Sequence, residues 1–229
     1  MKTIGLIGGM TWESTEIYYR LINRAVQQRL GGLHSARIAM ISLDFTELEE
    51  QARTSQWDAL AARLTDAARS LERAGADVLV MCANTAHRVA DRIERAVALP
   101  LLHICDCTAR KIKAEGLSRV ALLGTAYTME QDFFKDRLRA YGLDIFVPNE
   151  ADRAVIHRVI FEELVFGRLE QSSRQAYREI MARQVAAGAQ GIILGCTEIP
   201  LLVKAGDSSV PLFDTTEIHA LAAVDLALA

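Results

Sequence analysis

The stretch AGADVLVMCANTAH, Ala74 to His87, decides how the chain is read. Its apolar core, ADVLVMC, has strand length and no polar alternation, the mark of a strand buried on both faces of a parallel sheet. The segment before it, WDALAARLTDAARSLERAG, reads as a helix closed by Gly75, and the strand runs out into a polar turn. Helix, buried strand and turn follow in the order of an α/β unit. A second copy stands further on: AGAQGIILGCTE, Ala187 to Glu198, repeats the Ala-Gly-Ala opening, the strand and the turn. TIGLIGGM and RVALLGTA form another related pair, each a strand that meets glycine and opens a helix. Two related halves are expected, and superposing Ala74-Gly75-Ala76 on Ala187-Gly188-Ala189 gives an offset of 113 (187 − 74). Cys196 then corresponds to Ala83, and Gly195 to Cys82. Adjacent strand residues point to opposite faces, so a ligand held between such halves would meet a thiol on one side and a methyl group on the other.

Working outward, strand-length and helix-length patterns alternate along the whole chain. TIGLIGG precedes the helix TWESTEIYYRLINRAVQQRL, with Ile17, Leu21 and Ala25 on one face, and ARIAMISLDF is the next strand. LPLLHICD, RVALLGT, DIFVPN, GIILGC and VPLFDTT are further strand candidates. Helices are expected through MEQDFFKDRLRAYG, from about Ala151 to Ala187, and at the carboxyl terminus. The fold class is α/β, with two similar domains built on parallel sheets: 1–98 plus 210–229, and 99–209.

Bulk properties narrow the function. A chain of 229 residues with 51% hydrophobic residues can bury a proper core. The net charge of −3 comes from interspersed residues of both signs, so no basic stripe marks a nucleic-acid or anionic-membrane surface. No apolar run approaches the roughly eighteen residues of a membrane span. Met1-Lys2-Thr3 leads directly into a strand, so no leader peptide is expected. Cys82, Cys105, Cys107 and Cys196 lack the density of a disulfide framework, and a cytoplasmic location would keep them reduced. A small-molecule ligand is the expected partner.

Among the motifs, GCTEIP, Gly195 to Pro200, places a thiol where a buried strand ends, the position at which open α/β sheets hold ligands. A buried structural cysteine is the bland alternative. Asn84, Thr85 and Thr197 offer neutral donors suited to a carboxylate, or else are solvated turn residues. Glu198 either orients Cys196 or an amine, or is a solvated carboxylate. GLIGGMTWES lacks the GxGxxG spacing and GK[ST] ending of phosphate loops, although Gly8 and Gly9 would let backbone approach a ligand closely. Cys105 and Cys107 have no second pair at zinc spacing and read as structural. His87 reads as a local hydrogen-bonding residue or one that orients a neighbour. His34, His103, His157 and His219 show no paired arrangement.

GLIGGMTWEST, NTAH, LLGTAYTM and GCTEIPLL together resemble the cofactor-independent aspartate/glutamate racemases over nearly the whole chain. LGGLHSA, YTMEQDF and FDT..IHA are similar to the enterobacterial-type branch, which acts on aspartate/glutamate or a broad set of amino acids. The resemblance implies two pseudo-two-fold-related domains with the site in the cleft between them, commonly a homodimer, and neither pyridoxal phosphate nor metal. It implies two acid/base groups on opposite faces of the α-carbon, at Cys196 and position 83. It also implies carboxylate-binding donors at Asn84, Thr85, Thr125 and Thr197. Met10, Gln51 and Glu198 complete the candidate substrate-binding set.

The sequence departs from that family at one decisive point. The family has cysteine, or threonine in the enterobacterial-type branch, immediately before the asparagine, and this chain has Ala83. Three explanations are open: an introduced substitution that traps substrate, a natural residue in a reaction needing one protein acid, or an irregular strand end that turns Cys82 inward. Ala52 and Ala126 also stand where close relatives tend to carry longer polar residues. Besides the racemase, two functions fit: a single-cysteine decarboxylase or lyase acting on a small dicarboxylate, which resembles the arylmalonate decarboxylases, and a catalytically silent binding protein.

Overall fold

A computed structural model describes residues 1–229. The first unit spans Met1–Ile104 and His219–Ala229, and the second spans Cys105–Ile218.

In the first unit, β1 (Ile4–Gly8) is buried along its whole length. It lies between β2 (Ile38–Ser42) and β3 (Val78–Met81), parallel to both. Burying each of its large aliphatic side chains contributes about 1.5–3 kcal/mol, which commits this strand to the sheet centre. Helix α1 (Trp12–Leu30) starts where the Thr11 side chain accepts from Ser14 N. Its buried ridge runs through Tyr18, Ile22, Ala25 and Val26, so that the expected Ala25 lies in the core and Leu21 packs against it, while Tyr18 takes the inner place expected for Ile17 and carries its hydroxyl to a buried partner on the last helix. Helix α2 (Phe45–Arg53) was not expected; it occupies the end of the predicted strand ARIAMISLDF, where the Asp44 side chain caps Thr46 N at 3.0 Å. Then come α3 (Trp57–Arg73), β3, a 3₁₀ turn over Thr85–Val89 and α4 (Ala90–Ala96).

The predicted strand LPLLHICD is reduced to a single parallel bridge, Leu79 to Leu101. From Ile104 the chain is already α5 (Ile104–Ala114), which belongs to the second unit from Cys105 onward.

The second sheet has the order β5 (Asp144–Phe146), β4 (Arg119–Gly124), β6 (Gly191–Gly195), β7 (Leu212–Asp214), all parallel. The helix foreseen through residues 129–142 is two, α6 (Ala126–Glu130) and α7 (Asp132–Arg139), separated where Gln131 is extended. The long helix foreseen over 151–187 is also two, α8 (Glu150–Glu162) and α9 (Gln171–Ala186), parted by a turn in which Gly167 takes φ 69°. A left-handed residue of this kind ends a helix. Helix α10 (Ile199–Leu202) follows β6, and α11 (Thr215–Leu228) closes the chain.

The boundary expected at residue 210 moves to His219, because β7 pairs with β6 and so lies in the second sheet. After that, α11 contributes Ala220, Ala223 and Val224 to the first unit's core beside Ile4, Leu6 and Tyr18. The strand-like segments at Leu101 and Leu212 are each followed by a helix assigned to the other unit. No helix is long and apolar enough to cross a membrane.

The registers confirm the internal repeat. Ile4 pairs with Val78 as Val120 pairs with Gly191, and Ile7 with Met81 as Leu123 with Leu194. Continuing along the strands, Cys82 matches Gly195 and Ala83 matches Cys196.

His219, on α11, is fully buried and neutral: Nδ1 accepts from the Tyr18 hydroxyl at 2.9 Å, and Nε2 donates to Leu102 O at 2.8 Å. Burial pushes its pKa down to about 4, from 6.5. Between those values the unfolded chain binds a proton that the fold excludes, so stability falls as pH drops through that window, by about 3 kcal/mol in all. Urea unfolding at pH 7 and pH 4.5 should show a smaller acid-induced loss in H219Q than in the parent. Identical losses would contradict this source of acid sensitivity.

Candidate functional site

Each unit carries its predicted residues on the segments that follow the carboxyl ends of its own strands. In the first, Ile7 and Met81 are register partners, so the segments leaving β1 and β3 start side by side. Met10 is buried after β1, and Ala83, Asn84 and Thr85 form the start of the turn after β3. Gln51 lies near the end of α2, half-buried, with its Oε1 enclosed and lacking a protein hydrogen-bond partner.

The glycines after β1 have packing reasons. Gly9 takes φ 81°, and any Cβ there would collide with the Leu43 backbone; Gly8 would collide with Thr15. Gly9 N donates to Thr15 Oγ1 at 2.8 Å, so this amide is spent inside the unit instead of being presented to an anion. The close approach foreseen for a ligand is made by the chain itself.

Cys82 and Ala83 separate as strand alternation requires. The Cys82 side chain is 0% exposed, in the core with Ile4, Tyr18 and Val80. Its backbone is pinned on both sides: N donates to Ile7 O at 2.9 Å, and O accepts from Ser14 Oγ at 2.8 Å. Burial pushes its thiol far above the ordinary range. This removes the explanation in which Cys82 turns inward to replace the missing group.

In the second unit, Gly124 and Gly195 are register partners, and a Cβ on Gly124 would lie 2.7 Å from Gly195 O. Thr125 and Cys196 follow these two glycines directly. Thr125 caps α6: its Oγ1 accepts from Thr128 N at 3.3 Å and lies 3.2 Å from Thr128 Oγ1. Cys196, Thr197 and Glu198 occupy the turn between β6 and α10, all buried. Cys196 Sγ donates to Glu198 Oε2 at 3.0 Å, and Thr197 Oγ1 donates to the same oxygen at 2.7 Å. Glu198 is therefore no solvated carboxylate. Burial first, then the charge and hydrogen bond of Glu198, raise the Cys196 pKa well above its usual value. In this state Cys196 holds its proton, with an acceptor already in line.

Cys105 and Cys107 are separate buried thiols on α5, both raised by burial, Cys107 to about 11. Asp106, between them, makes a two-pronged pair with Arg137 at 2.7 and 2.8 Å. Burial works against its charge, but Arg137 more than reverses that and leaves the carboxyl lowered.

The expectation that the remaining histidines are unrelated is corrected in the first unit. The rings of His103 and His219 lie 4.6 and 5.7 Å from that of His87, centroid to centroid. Three distant segments supply them, so no spacing rule could reveal the cluster; the available signal was the polar residue within the apolar periodicity of α11. In the second unit, His157 Nδ1 accepts from Ala126 N at 3.2 Å, beside Thr125.

A family model described as Asp/Glu/hydantoin racemase matches residues 7–223. The chain belongs to this family. An aspartate racemase homologue from Pyrococcus horikoshii OT3 is 38% identical over the full length of both chains, with a TM-score of 0.88. A Yersinia pestis structure assigned provisionally as an Asp/Glu racemase is 53% identical, again with 100% of each chain covered, at a TM-score of 0.94. The broad-specificity amino-acid racemase RacX of Bacillus subtilis (strain 168) is 24% identical over 172 residues, 75% of this chain and 74% of its own. These likenesses carry the fold class and the racemase family.

Glu198→Gln keeps an acceptor and removes the charge. The pH midpoint for alkylation of Cys196, followed by peptide mass spectrometry, should move down, because one of the influences raising the thiol is gone while burial remains. An unmoved or raised midpoint would contradict the proton-holding role of Glu198.

Proposed function

We propose that the protein is a cofactor-independent amino-acid racemase of the aspartate/glutamate class in which Cys196 is the one remaining acid/base group and position 83 is unable to carry a proton. The observation supporting this reading is the parallel between the two sheets: β1–β3 and β4–β6 keep the register that the sequence repeat predicts, and one step past the last matched pair the repeat sets Ala83 against Cys196. In such a design the two positions serve opposite faces of the α-carbon.

The Cys196 proton passes to Glu198, and the resulting thiolate removes the α-proton from one face of the substrate. The electron pair left on carbon spreads into the substrate carboxylate. Donors at Asn84, Thr85 and Thr125 stabilise the added negative charge more strongly than they bind the ground state, while the Thr197 hydroxyl, already donated to Glu198, steadies the carboxylate that takes the thiol proton. The enclosed Gln51 Oε1 is an acceptor suited to the substrate ammonium, and Met10 forms an apolar wall. No pyridoxal phosphate or metal takes part. Once the Cys196–Glu198 pair has traded its protons with solvent, return of a proton from Cys196 regenerates the original enantiomer with solvent hydrogen at the α-carbon; inversion needs a donor on the opposite face, and the Ala83 methyl group has none. Exchange with retention should therefore outrun racemisation. The working form in this reading is a cytoplasmic homodimer.

A second reading is favoured by the proton-holding state of Cys196: decarboxylation of a small dicarboxylate generates the same kind of carbanion and needs only one protein proton donor. It gives carbon dioxide without exchange of an amino acid's α-hydrogen.

Proton NMR in heavy water separates these readings. With aspartate or glutamate, one enantiomer should lose its α-proton signal with retention, while inversion runs at least about 100-fold slower, the scale of one missing acid/base group. Ala83→Cys or Ala83→Thr should restore inversion. Because the thiol hands its proton to Glu198 and not to water, the exchange rate should stay flat with pH while the pair holds one proton; a climb of about tenfold per pH unit would show that the proton leaves for solvent and would contradict the role given to Glu198. Absence of exchange in the parent and both variants would sink the racemase reading for these substrates. Carbon dioxide release from a substituted malonate would support the second.

A further inference from the structure

The three-histidine cluster of the first unit lies where the chain passes between units. His219 is the first residue of the returning segment, and residues 102–104 are the last before departure. Two imidazoles hold that departing segment: His219 Nε2 donates to Leu102 O at 2.8 Å, and His87 Nε2 accepts from Ile104 N at 3.3 Å. The other ring nitrogen of His87, Nδ1, lies 2.8 Å from Ala83 O. A carbonyl only accepts, so Nδ1 carries the proton and Nε2 is bare. Both hydrogen bonds of the neutral ring are thereby assigned, one to the turn of residues 83–85 and one to the start of α5. His103 packs against the ring at 4.6 Å, and His87 is 3% exposed, so the imidazole has little freedom to reorient.

We propose that His87 is a positioning residue: by donating to Ala83 O while accepting from Ile104 N, it fixes the turn that carries Asn84 and Thr85 to the point where the chain leaves the first unit. The proposal rests on reading residues 83–85 as part of the site. Asn84 and Thr85 act by small displacements of hydrogen-bond donors, and misplacing such groups by an ångström lowers turnover without removing any group that touches substrate. The sequence neighbourhood alone would make His87 a local turn residue; the bond to Ile104, seventeen positions away, is what makes it a link.

The two ring nitrogens can be tested one at a time. In H87N the side-chain NH₂ falls near the place of Nδ1 and can still donate to Ala83 O, while the acceptor for Ile104 is lost. In H87Q the amide reaches the place of Nε2 and can still accept from Ile104 N, while the donor to Ala83 O is lost. Each variant loses one buried hydrogen bond, so a purely structural role predicts equal falls in thermal midpoint and equal effects on turnover. Amide exchange by NMR should instead divide them. Ile104 should exchange faster in H87N, and the residue-87 amide, which bonds Asn84 O at 3.1 Å, should exchange faster in H87Q. For α-proton exchange of the preferred amino acid, kcat should fall at least about tenfold in H87Q and no more than about threefold in H87N, the scale of a sub-ångström misplacement. Turnover falling equally in both variants, in step with stability, would overturn the proposal. If the parent exchanges no substrate, the racemase reading has failed instead, and amide exchange alone decides: equal protection of the residue-87 amide in the two variants would overturn the positioning role.

Discussion

Side chains on successive residues at the end of a parallel strand leave on opposite sides, and this constraint governs which groups the protein can bring to chemistry. The chain spends one of the two directions on its core. Cys82 points into the hydrophobic core with Ile4 and Tyr18, and its backbone is held by bonds to Ile7 and Ser14. Its counterpart in the second sheet, Gly195, has no side chain to send anywhere, and none would fit: an added Cβ would meet Leu122 at 2.8 Å and Leu123 O at 3.0 Å. The next residue in each sheet is left to serve the carboxyl edge. That residue is Cys196 in one and Ala83 in the other. The asymmetry is fixed by register and does not depend on how a side chain happens to rotate.

Much of this was legible because buried parallel strands are short, apolar and uninterrupted. The repeat of Ala74–Ala83 at Ala187–Cys196 agrees with the hydrogen-bond registers over the paired residues, Val78–Met81 and Gly191–Leu194. What stayed hidden was of two kinds. Local capping cut elements that hydrophobic pattern alone would extend: Asp44 starts α2 inside a presumed strand, Gln131 and Gly167 divide presumed single helices, and Ile104 turns the presumed strand LPLLHICD into helix. Long-range assembly hid the rest. The strand β7 joins the second sheet although α11 belongs to the first unit, and the three histidines come from positions 87, 103 and 219. Neither fact has a signature in sequence spacing.

The four cysteines show why burial by itself says little about reactivity. Burial is the largest influence on all four thiols, and it raises every one. A thiol in dry surroundings with no place to send its proton is inert, as Cys82 is. Cys196 differs by having the Glu198 carboxylate at 3.0 Å, itself steadied by Thr197 at 2.7 Å. The same contact that opposes the free thiolate supplies the acceptor through which it can form without exporting a proton to water. Sequence reading could place glutamate beside cysteine, but only the turn between β6 and α10 bends the two side chains onto one oxygen.

These two arrangements, a lone thiol with a proton acceptor and a methyl group at the matching position, constrain chemistry more tightly than family membership does. Carbon-acid chemistry of this kind consists of removing something from the α-carbon, stabilising the carbanion and delivering a proton. In the proposed reading, the turn donors at Asn84 and Thr85 would serve the middle step whichever group departs. The first and last steps distinguish a racemase, which needs proton exchange on both faces, from a lyase, which needs a proton delivered to one. On the proposed reading, a chain with the donors and one thiol would retain the costly part of the catalyst, the pre-arranged charge stabilisation, and would lack only the element that determines the stereochemical course. Under that reading, substitution at position 83 would bear on which product forms more than on whether a carbanion can be reached.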